Sequence, residues 1–335
     1  MNKRYTIKDI ARMANVSVST VSRVLNNASD VNDETRNRIT RIIRTLNYNP
    51  NPAAMALVNR QSKYIAVVIP NVHHYAHSVM VQGIMDTMHE AGFDVLLFDY
   101  NESSEQEARY YSTLQKKMID GIIMITSIAP DESIVSIAEK IPAVLIEREV
   151  DSPYADSVLI DEDDAMLKMV RYLKSMGHTR IGLINGEEGT TSAEYRSRSF
   201  RKTLSLEKLD FRPPCIQHTD WSLKGGKKAL ISLVDQGFDC TALICASDQL
   251  ALGALGGAYE KNLHIPEDLS IVGFDNFEGG EISIPPLTTL DFPSREMGQM
   301  AANLILERIE SNRTEPEKRI LRAELLVRES VKDLN

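Results

Sequence analysis

TIKDIARMANVSVSTVSRVLN, Thr6 to Asn26, holds two short helical patterns that meet across a tight turn. Apolar residues recur at Ile7, Ile10 and Ala11 and again at Val16, Val21, Val24 and Leu25, the spacings of three and four that set one side of a helix against a core. Ala14-Asn15 supplies the turn, since Asn tolerates the left-handed conformation. Ser17 is placed to cap the second helix, whose outward face then carries Val18, Ser19, Ser22 and Arg23. Small, hydroxylic and guanidinium side chains on an exposed helix suit a DNA groove. The same periodicity also describes a solvated helical hairpin, and the surrounding chain must choose between the two.

A third helical pattern runs from about Asp33 to Leu46, with Ile39, Ile42, Ile43 and Leu46 on one stripe and Asn32-Asp33 as its cap. Three short helices closing a miniature core are what a helix-turn-helix domain requires. In NYNPNPAAMALVNRQS, Asn47 to Ser62, Pro50 and Pro52 stop that helix, and Pro52 suits the first turn of another. Ala53 to Asn59 favour helix, but one so short is marginal alone in water and forms only where something holds it. A plain linker is the other reading.

Charge separates head from body. Residues 1–62 hold ten Lys or Arg against four Asp or Glu, so of the net −9 the remainder carries −15. A basic head suits phosphate, and an acidic body does not. The 335 residues exceed one ordinary core and fit two or three lobes. No apolar run approaches the roughly 18 residues of a membrane span, and the opening MNKRYTIKD lacks the apolar core of a secretory signal, so a cytoplasmic protein is expected. Cys215, Cys240 and Cys245 read as buried thiols rather than disulfides or a zinc site.

From Tyr64 the pattern changes. YIAVVIP, DVLLFDY, GIIMIT, PAVLIE, SVLID, RIGLIN, TALICAS and LSIVGFD are strand-like runs separated by amphipathic helices, which implies parallel sheets covered on both faces. Ligands of such sheets sit beyond the C-terminal strand ends. That directs attention to Pro70 to His77, Glu147-Arg148, Asn185 onward, Ser247-Asp248 and Asp275-Asn276. The helix expected near Ser78 to Ala91 has apolar residues at Val79, Met80, Val81, Ile84, Met85 and Met88, more than one stripe, so a dimer partner or the lobe itself should cover a second face. RAELLVRESVKDLN supplies one more strand-like run with no heptad tail, so no coiled-coil tetramer is expected.

Several of these segments together resemble a known family. TIKDIARMANVSVSTVSRVLNN, NYNPN, GHTRIGLING, ICASDQLALGAL, IPEDLSIVGFDN and PPLTTLDFP are similar to motifs of the lactose-repressor/galactose-repressor family of bacterial transcription regulators, from about residue 5 to 330. The resemblance implies a helix-turn-helix headpiece over 1–48, a hinge helix and linker over 49–62, and a core over 63–335 of two doubly wound parallel-sheet lobes like those of periplasmic sugar-binding proteins. The N-lobe would take about 63–160 and 291–324, the C-lobe about 161–290 and 325–335, with crossings near Ile160, Leu290 and Leu325.

The resemblance further implies that Val18, Ser19 and Arg23 face base edges in the major groove. Thr6, Ser17, Thr20, Ser22, Asn26, Thr35 and Tyr48 match DNA-contacting positions, most of which hold the phosphate backbone. In the hinge segment Asn51 and Ala54 match DNA-facing positions, and Leu57 matches a wedge inserted between base steps. Met55 stands where the family commonly has Arg. In the core, Arg196 and Asp275 match a pair that can hold vicinal hydroxyls, and Trp221 matches an aromatic that stacks on the ligand. Glu147 and Ser247 complete the expected cleft with Ala76, His77 and Phe292. These last three replace two aromatics and a Gln of many relatives, so the ligand cannot be borrowed from any of them. Ser199 and Asn262 replace glycines.

The expected partners are operator DNA, a second copy of the chain and a small effector, a sugar or sugar derivative, with no cofactor. A nucleobase or a regulatory phosphoprotein as co-effector is the alternative. A sugar-transport protein would share the lobes but not the basic head. An enzyme is disfavoured: no Ser/His/Asp elbow, GxxxxGK or strand-linked GxGxxG is present, and GALGG, Gly253 to Gly257, lies inside a helical pattern. Asp161 to Asp164 reads as a solvated helix start. His73, His74 and His77 could be metal ligands, but lie on one loop without a second cluster, so they are expected to line a pocket or a dimer seam and no metal is expected.

Overall fold

In the computed structural model, helix α1 (Ile7–Ala14) begins where Thr6 and Asp9 satisfy each other: Asp9 N–H reaches the Thr6 hydroxyl, and Thr6 N–H donates to the Asp9 carboxylate at 3.0 Å. This reciprocal cap closes two otherwise orphaned donors. The helix ends at Asn15 in the left-handed conformation, φ 51°. The structure describes residues 5–25, 28, 30–46, 48, 61–116, 118–210, 215–311 and 313–335, and the chain divides into two units, 1–62 and 63–335.

In the first unit, α2 (Val18–Leu25) starts at Ser17, whose Oγ accepts from Thr20 N–H at 3.1 Å. Asn32 caps α3 (Asp33–Thr45) by accepting from Thr35 N–H at 2.8 Å. Ile10, Val21 and Ile39, one from each helix, are fully buried and form the centre of the small core, with Ile42, Ile43, Leu46 and Tyr48 closing its side.

The second unit contains two parallel sheets. One holds β1 (Tyr64–Ile69), β2 (Asp94–Asp99), β3 (Gly121–Ile125), β4 (Ala143–Ile146), β5 (Ala155–Ile160) and β11 (Lys318–Leu321), in the order β11-β5-β4-β3-β1-β2. Its helices are α4 (Tyr75–Glu90), α5 (Ser104–Leu114), α6 (Asp131–Ala138) and α12 (Ser294–Ser311). The other holds β6 (Ile181–Asn185), β7 (Ile216–His218), β8 (Ala242–Cys245), β9 (Ser270–Phe274), β10 (Thr288–Asp291) and β12 (Glu324–Leu326), in the order β12-β10-β9-β8-β6-β7, with β12 alone antiparallel. With it go α7 (Glu162–Ser175), α8 (Thr191–Leu206), α9 (Leu223–Asp235), α10 (Asp248–Glu260) and the single turn α11 (Glu278–Glu281).

Central strands are apolar throughout because both sheet faces are covered. In β1, Ile65, Val67 and Ile69 enter one cluster while Ala66 and Val68 enter another on the opposite face. Gly253 lies within α10, where an added Cβ would stand 2.1 Å from the Leu223 carbonyl oxygen, so this glycine serves close approach to α9. Asn262 follows α10 at φ 55°, the left-handed ending that Asn tolerates in place of Gly.

The chain passes between sheets after Ile160, after Asp291 and at residues 322–323. Asp291 and Glu324 thus belong to the second sheet, where they pair, whereas the sequence reading assigned both to the first lobe. A buried ion cluster fastens the returning chain. Asp156 on β5 is fully buried and accepts from Arg308 Nε and Nη2, each at 2.7 Å, from Arg313 Nη2 at 2.7 Å and from Glu317 N–H at 2.7 Å. Burial pushes its carboxyl up, but the two guanidiniums outweigh that and hold it below the ordinary value. The weakly apolar strands β7, β10 and β11 escaped the sequence reading. α4 starts three residues earlier than expected; Met80, Val81, Ile84 and Met88 are buried on it, while Met85 remains half exposed.

Candidate functional site

The first unit presents a polar, uneven face on α2. Val18, Ser19 and Arg23 are exposed, and Thr20 and Ser22 are half-buried. Ser17 Oγ lies 2.7 Å from Ser19 Oγ and 2.8 Å from Thr20 Oγ1, so three hydroxyls form a cluster at the helix start. Arg23 pairs with Asp30 at 3.1 Å, both well exposed. Such a surface pair is worth about 0–1 kcal/mol, and leaves the guanidinium free to turn to another acceptor. Thr6 is engaged in the α1 cap, Thr35 is half-buried in the first turn of α3, and Tyr48 packs on the small core. Asn26, Asn51, Ala54 and Leu57 lie outside the described residues, as does the expected hinge helix over 51–59.

In the second unit, a cavity of about 220 Å³ sits beyond the C-terminal ends of both sheets. Ala76 and His77 come from the first turn of α4, Glu147 from directly after β4, Arg196 from α8, Trp221 from the segment after β7, Asp275 from directly after β9 and Phe292 from directly after β10, and all seven line it. Ser247 does not. It is fully buried, and its Oγ accepts from Leu250 N–H at 3.2 Å as the cap of α10. The orphan donors of a buried helix end claimed the hydroxyl. Asp248 also faces inward, accepting from Thr289 Oγ1 at 2.6 Å and from Phe277 N–H at 2.7 Å, and so fastens the turn that carries Asp275.

Arg196 is the centre of the cavity's chemistry. It is 3% exposed. Its Nη1 donates to the Ala246 carbonyl at 2.5 Å, its Nη2 lies 3.7 Å from Glu147, and its Nε lies 3.5 Å from Glu162. The guanidinium stacks 4.0 Å from the Phe274 ring centre, with Trp221 at 5.7 Å and Phe292 at 5.9 Å. Glu147 is pushed up to about 7 by burial, which Arg196 only partly offsets. Asp275 rises well above its ordinary value for the same reason, and Glu162 rises too.

Glu162 was read as part of a solvated acidic helix start. Its side chain is 12% exposed and faces Arg196. The acidic run did mark the first turn of α7, with Asp161 capping it by accepting from Asp164 N–H at 3.0 Å, but the burial of Glu162 depends on an Arg 34 positions on.

The histidines divide. His73 is exposed, while His74 and His77 lie ring to ring at 4.5 Å in the cavity wall, with Trp221 edge-on to His74 at 5.7 Å. Burial lowers both, His77 to about 4, so they stand neutral at pH 7. Gly186 leaves room for Trp221: an added Cβ would lie 2.0 Å from its ring. The segment after Asn185 to which the strand-end rule pointed lines the cavity at residues 187–192, whereas Tyr100, Glu102, Thr126 and Ile128 were missed as lining residues. Tyr100 and Thr126 sit directly after β2 and β3, so the rule of C-terminal strand ends could have found them. Thr126, Glu147 and Asp275 have φ of 44°, 59° and 116°. Backbone in that region costs of order 1–3 kcal/mol per residue and gathers at ligand sites.

Among the described residues the one group spaced to share a metal ion is Cys215, Asp239 and Cys240, away from the cavity. No helix among them is long and apolar enough to cross a membrane.

Two family models match the chain. Residues 6–51 match bacterial regulatory proteins of the lacI family, and residues 62–329 match the periplasmic binding proteins and sugar binding domain of the LacI family. The HTH-type transcriptional regulator DegA of Bacillus subtilis (strain 168) is 33% identical, over 98% of this chain and 99% of that protein. The HTH-type transcriptional repressor CytR of Escherichia coli (strain K12) is 33% identical, over 98% of this chain and 97% of that protein. Among solved structures, the Lac repressor dimer bound to operator and the anti-inducer ONPF superposes with a TM-score of 0.86 at 27% identity, over 98% of this chain and all of that one.

Proposed function

From the premise that the chain belongs to the LacI family of bacterial regulatory proteins, across both its basic head and its two-sheet core, we propose how it works as a DNA-binding transcription repressor. It binds a roughly palindromic operator as a dimer, one headpiece to each half. A small polyhydroxylated effector, a sugar or sugar derivative, occupies the cavity around Arg196. Val18, Ser19 and Arg23 read base edges; Ser17, Thr20 and Ser22 hold phosphates and set register. Thr6, Asn26, Thr35, Tyr48, Asn51 and Ala54 add further DNA contacts, and Leu57 wedges the minor groove.

Around the effector, Trp221 offers a flat apolar platform, Arg196 donates to hydroxyls, and the carboxyls of Glu147 and Asp275 accept from hydroxyls or, when protonated, donate to them. The effector touches residues of both sheets, so its binding energy differs between arrangements of the two lobes. That difference, typically ~1–3 kcal/mol, is the coupling that DNA and effector share reciprocally. Residues 49–62 carry the coupling to the operator.

The protein works by binding rather than catalysis. Its relatives are transcription regulators, and the raised carboxyls surround a cation instead of facing a nucleophile.

The observation that carries this reading is one chain with an exposed Val18–Ser19–Arg23 face and a buried Arg196 ringed by carboxyls at the strand ends. Selection of bound sites from random DNA, with and without a panel of sugars, tests it. Recovered sites should be inverted repeats, and affinity should fall steeply with salt. A protein with no salt-dependent affinity for any DNA would return the transport reading. Leu57→Gly should weaken operator binding while leaving effector affinity in DNA-free protein nearly unchanged, and an unaltered operator titration would remove the wedge.

A further inference from the structure

Carboxyl groups outnumber cations in the cavity. Arg196 is the one Lys or Arg among its described lining residues, against Glu102, Glu147, Glu187, Glu188 and Asp275, with Glu162 behind it. Arg148 is no counterweight, since its guanidinium donates to the Ser127 carbonyl and to Asp131, each at 2.5 Å. The neutral histidines add no charge.

Asp156 shows what balance looks like in the same unit. There two guanidiniums serve one carboxylate, and the carboxyl is held low. In the cavity one guanidinium is spread over three buried carboxyls, and Glu147 and Asp275 are left with the cost of their own burial.

A second observation marks unfilled positions. Thr126 is 7% exposed and lines the cavity, yet its Oγ1 has no hydrogen-bond partner, and neither does His74 Nδ1 in the same wall. Buried polar atoms in native proteins are paired as a rule, so these two positions suit a polar ligand. Ionised carboxylates accept only, whereas an ammonium group offers three donors and no acceptor. A phosphate would bring more negative charge against the same wall.

We propose that the effector is a polyhydroxylated amine whose ammonium group docks on Glu147 beside Arg196, while its hydroxyls engage Arg196 and Thr126, and that the cleft refuses phosphorylated sugars. The assignment rests on the cavity being the effector site proposed above. Glu147 is then the residue that selects the amine. Its left-handed backbone at the end of β4 aims it into the cavity, and Trp221 and Phe292 supply the apolar walls.

Calorimetry on the full chain near neutral pH tests this with matched probes: glucosamine and 1-amino-1-deoxysorbitol, their neutral counterparts glucose and sorbitol, and the corresponding 6-phosphates. At least one amine should bind about tenfold tighter than its neutral counterpart, the scale of one charge-assisted hydrogen bond, and the phosphates should not bind. Glu147→Gln should remove that advantage, with thermal melting confirming that the variant is folded. Equal or tighter binding of a neutral or phosphorylated probe overturns the proposal, as does an amine advantage that survives Glu147→Gln or the failure of every amine to bind. Salt-dependent DNA affinity, measured on the same preparation, reports separately on the regulator reading, which stands if DNA is bound and only the amine preference fails.

Discussion

In the headpiece the side chains assigned to DNA stand in water. Val18, Ser19 and Arg23 are exposed, and the one ion pair among them is a surface pair. In the cavity Arg196, Glu147 and Asp275 are each more than nine-tenths buried, and Glu147 and Asp275 also carry left-handed backbone. The headpiece meets the desolvation of its charges only when DNA arrives. The cavity has met it already, during folding, and holds its charges preorganised at the expense of stability. Substitutions in the headpiece should therefore change binding and spare the fold, whereas those in the cavity should change both.

The largest effect expected is from Arg196→Leu. It leaves Glu147, Glu162 and Asp275 buried without a cation, which should cost the core about 3–5 kcal/mol near neutral pH and abolish effector binding in a titration. The loss should shrink in acid, where the carboxyls take up protons. A variant that melts like the parent at every pH would break the contrast.

Glu147 gives the second. Its folded value of about 7 lies above the ordinary 4.5, so the folded chain holds the proton more tightly than the unfolded one. The stabilisation from this proton is complete below pH 4.5 and is lost as pH rises through about 7, an effect on the order of 3 kcal/mol. Glu147→Gln should flatten that fall in melting temperature across the same window.

Arg23→Ala should cost ~1–3 kcal/mol against the selected operator, with the headpiece melting unchanged. A gel-shift or anisotropy titration on operator and on unrelated DNA separates the loss of reading from a loss of general affinity. Smallest is Ser17→Ala. Losing the cap of α2 should cost about 1 kcal/mol of headpiece stability and weaken operator binding. It is the one headpiece change here that should touch the fold, and so it marks where the contrast ends.

The same contrast governs what the sequence made legible. The α1–α2 pattern, its Asn15 turn and its Ser17 cap were readable because they depend on neighbours within four residues. The apolar runs of β1 to β6, β8 and β9 were readable because strands packed between helices need little else. Glu162 and Ser247 were misread because their environments come from afar: Arg196 turns an acidic helix start into part of the cavity, and the α10 terminus takes Ser247 out of it. Thr126 and Tyr100 carry no local signal beyond standing after strands. Strands β7, β10 and β11 span three or four residues each, and become strands only beside the neighbours they pair with.

The late crossings also set an order of assembly. Edge strand β11 of one sheet and edge strand β12 of the other both come from residues 318–326. During synthesis the headpiece, whose contacts span a few dozen residues, has all it needs long before either sheet can be completed. Domains that emerge first generally fold first, and long-range strand pairing is slow. The nascent chain thus has its DNA-reading helices before the fold that is to govern them is complete, and the two sheets receive their last strands almost together, from one short stretch of chain.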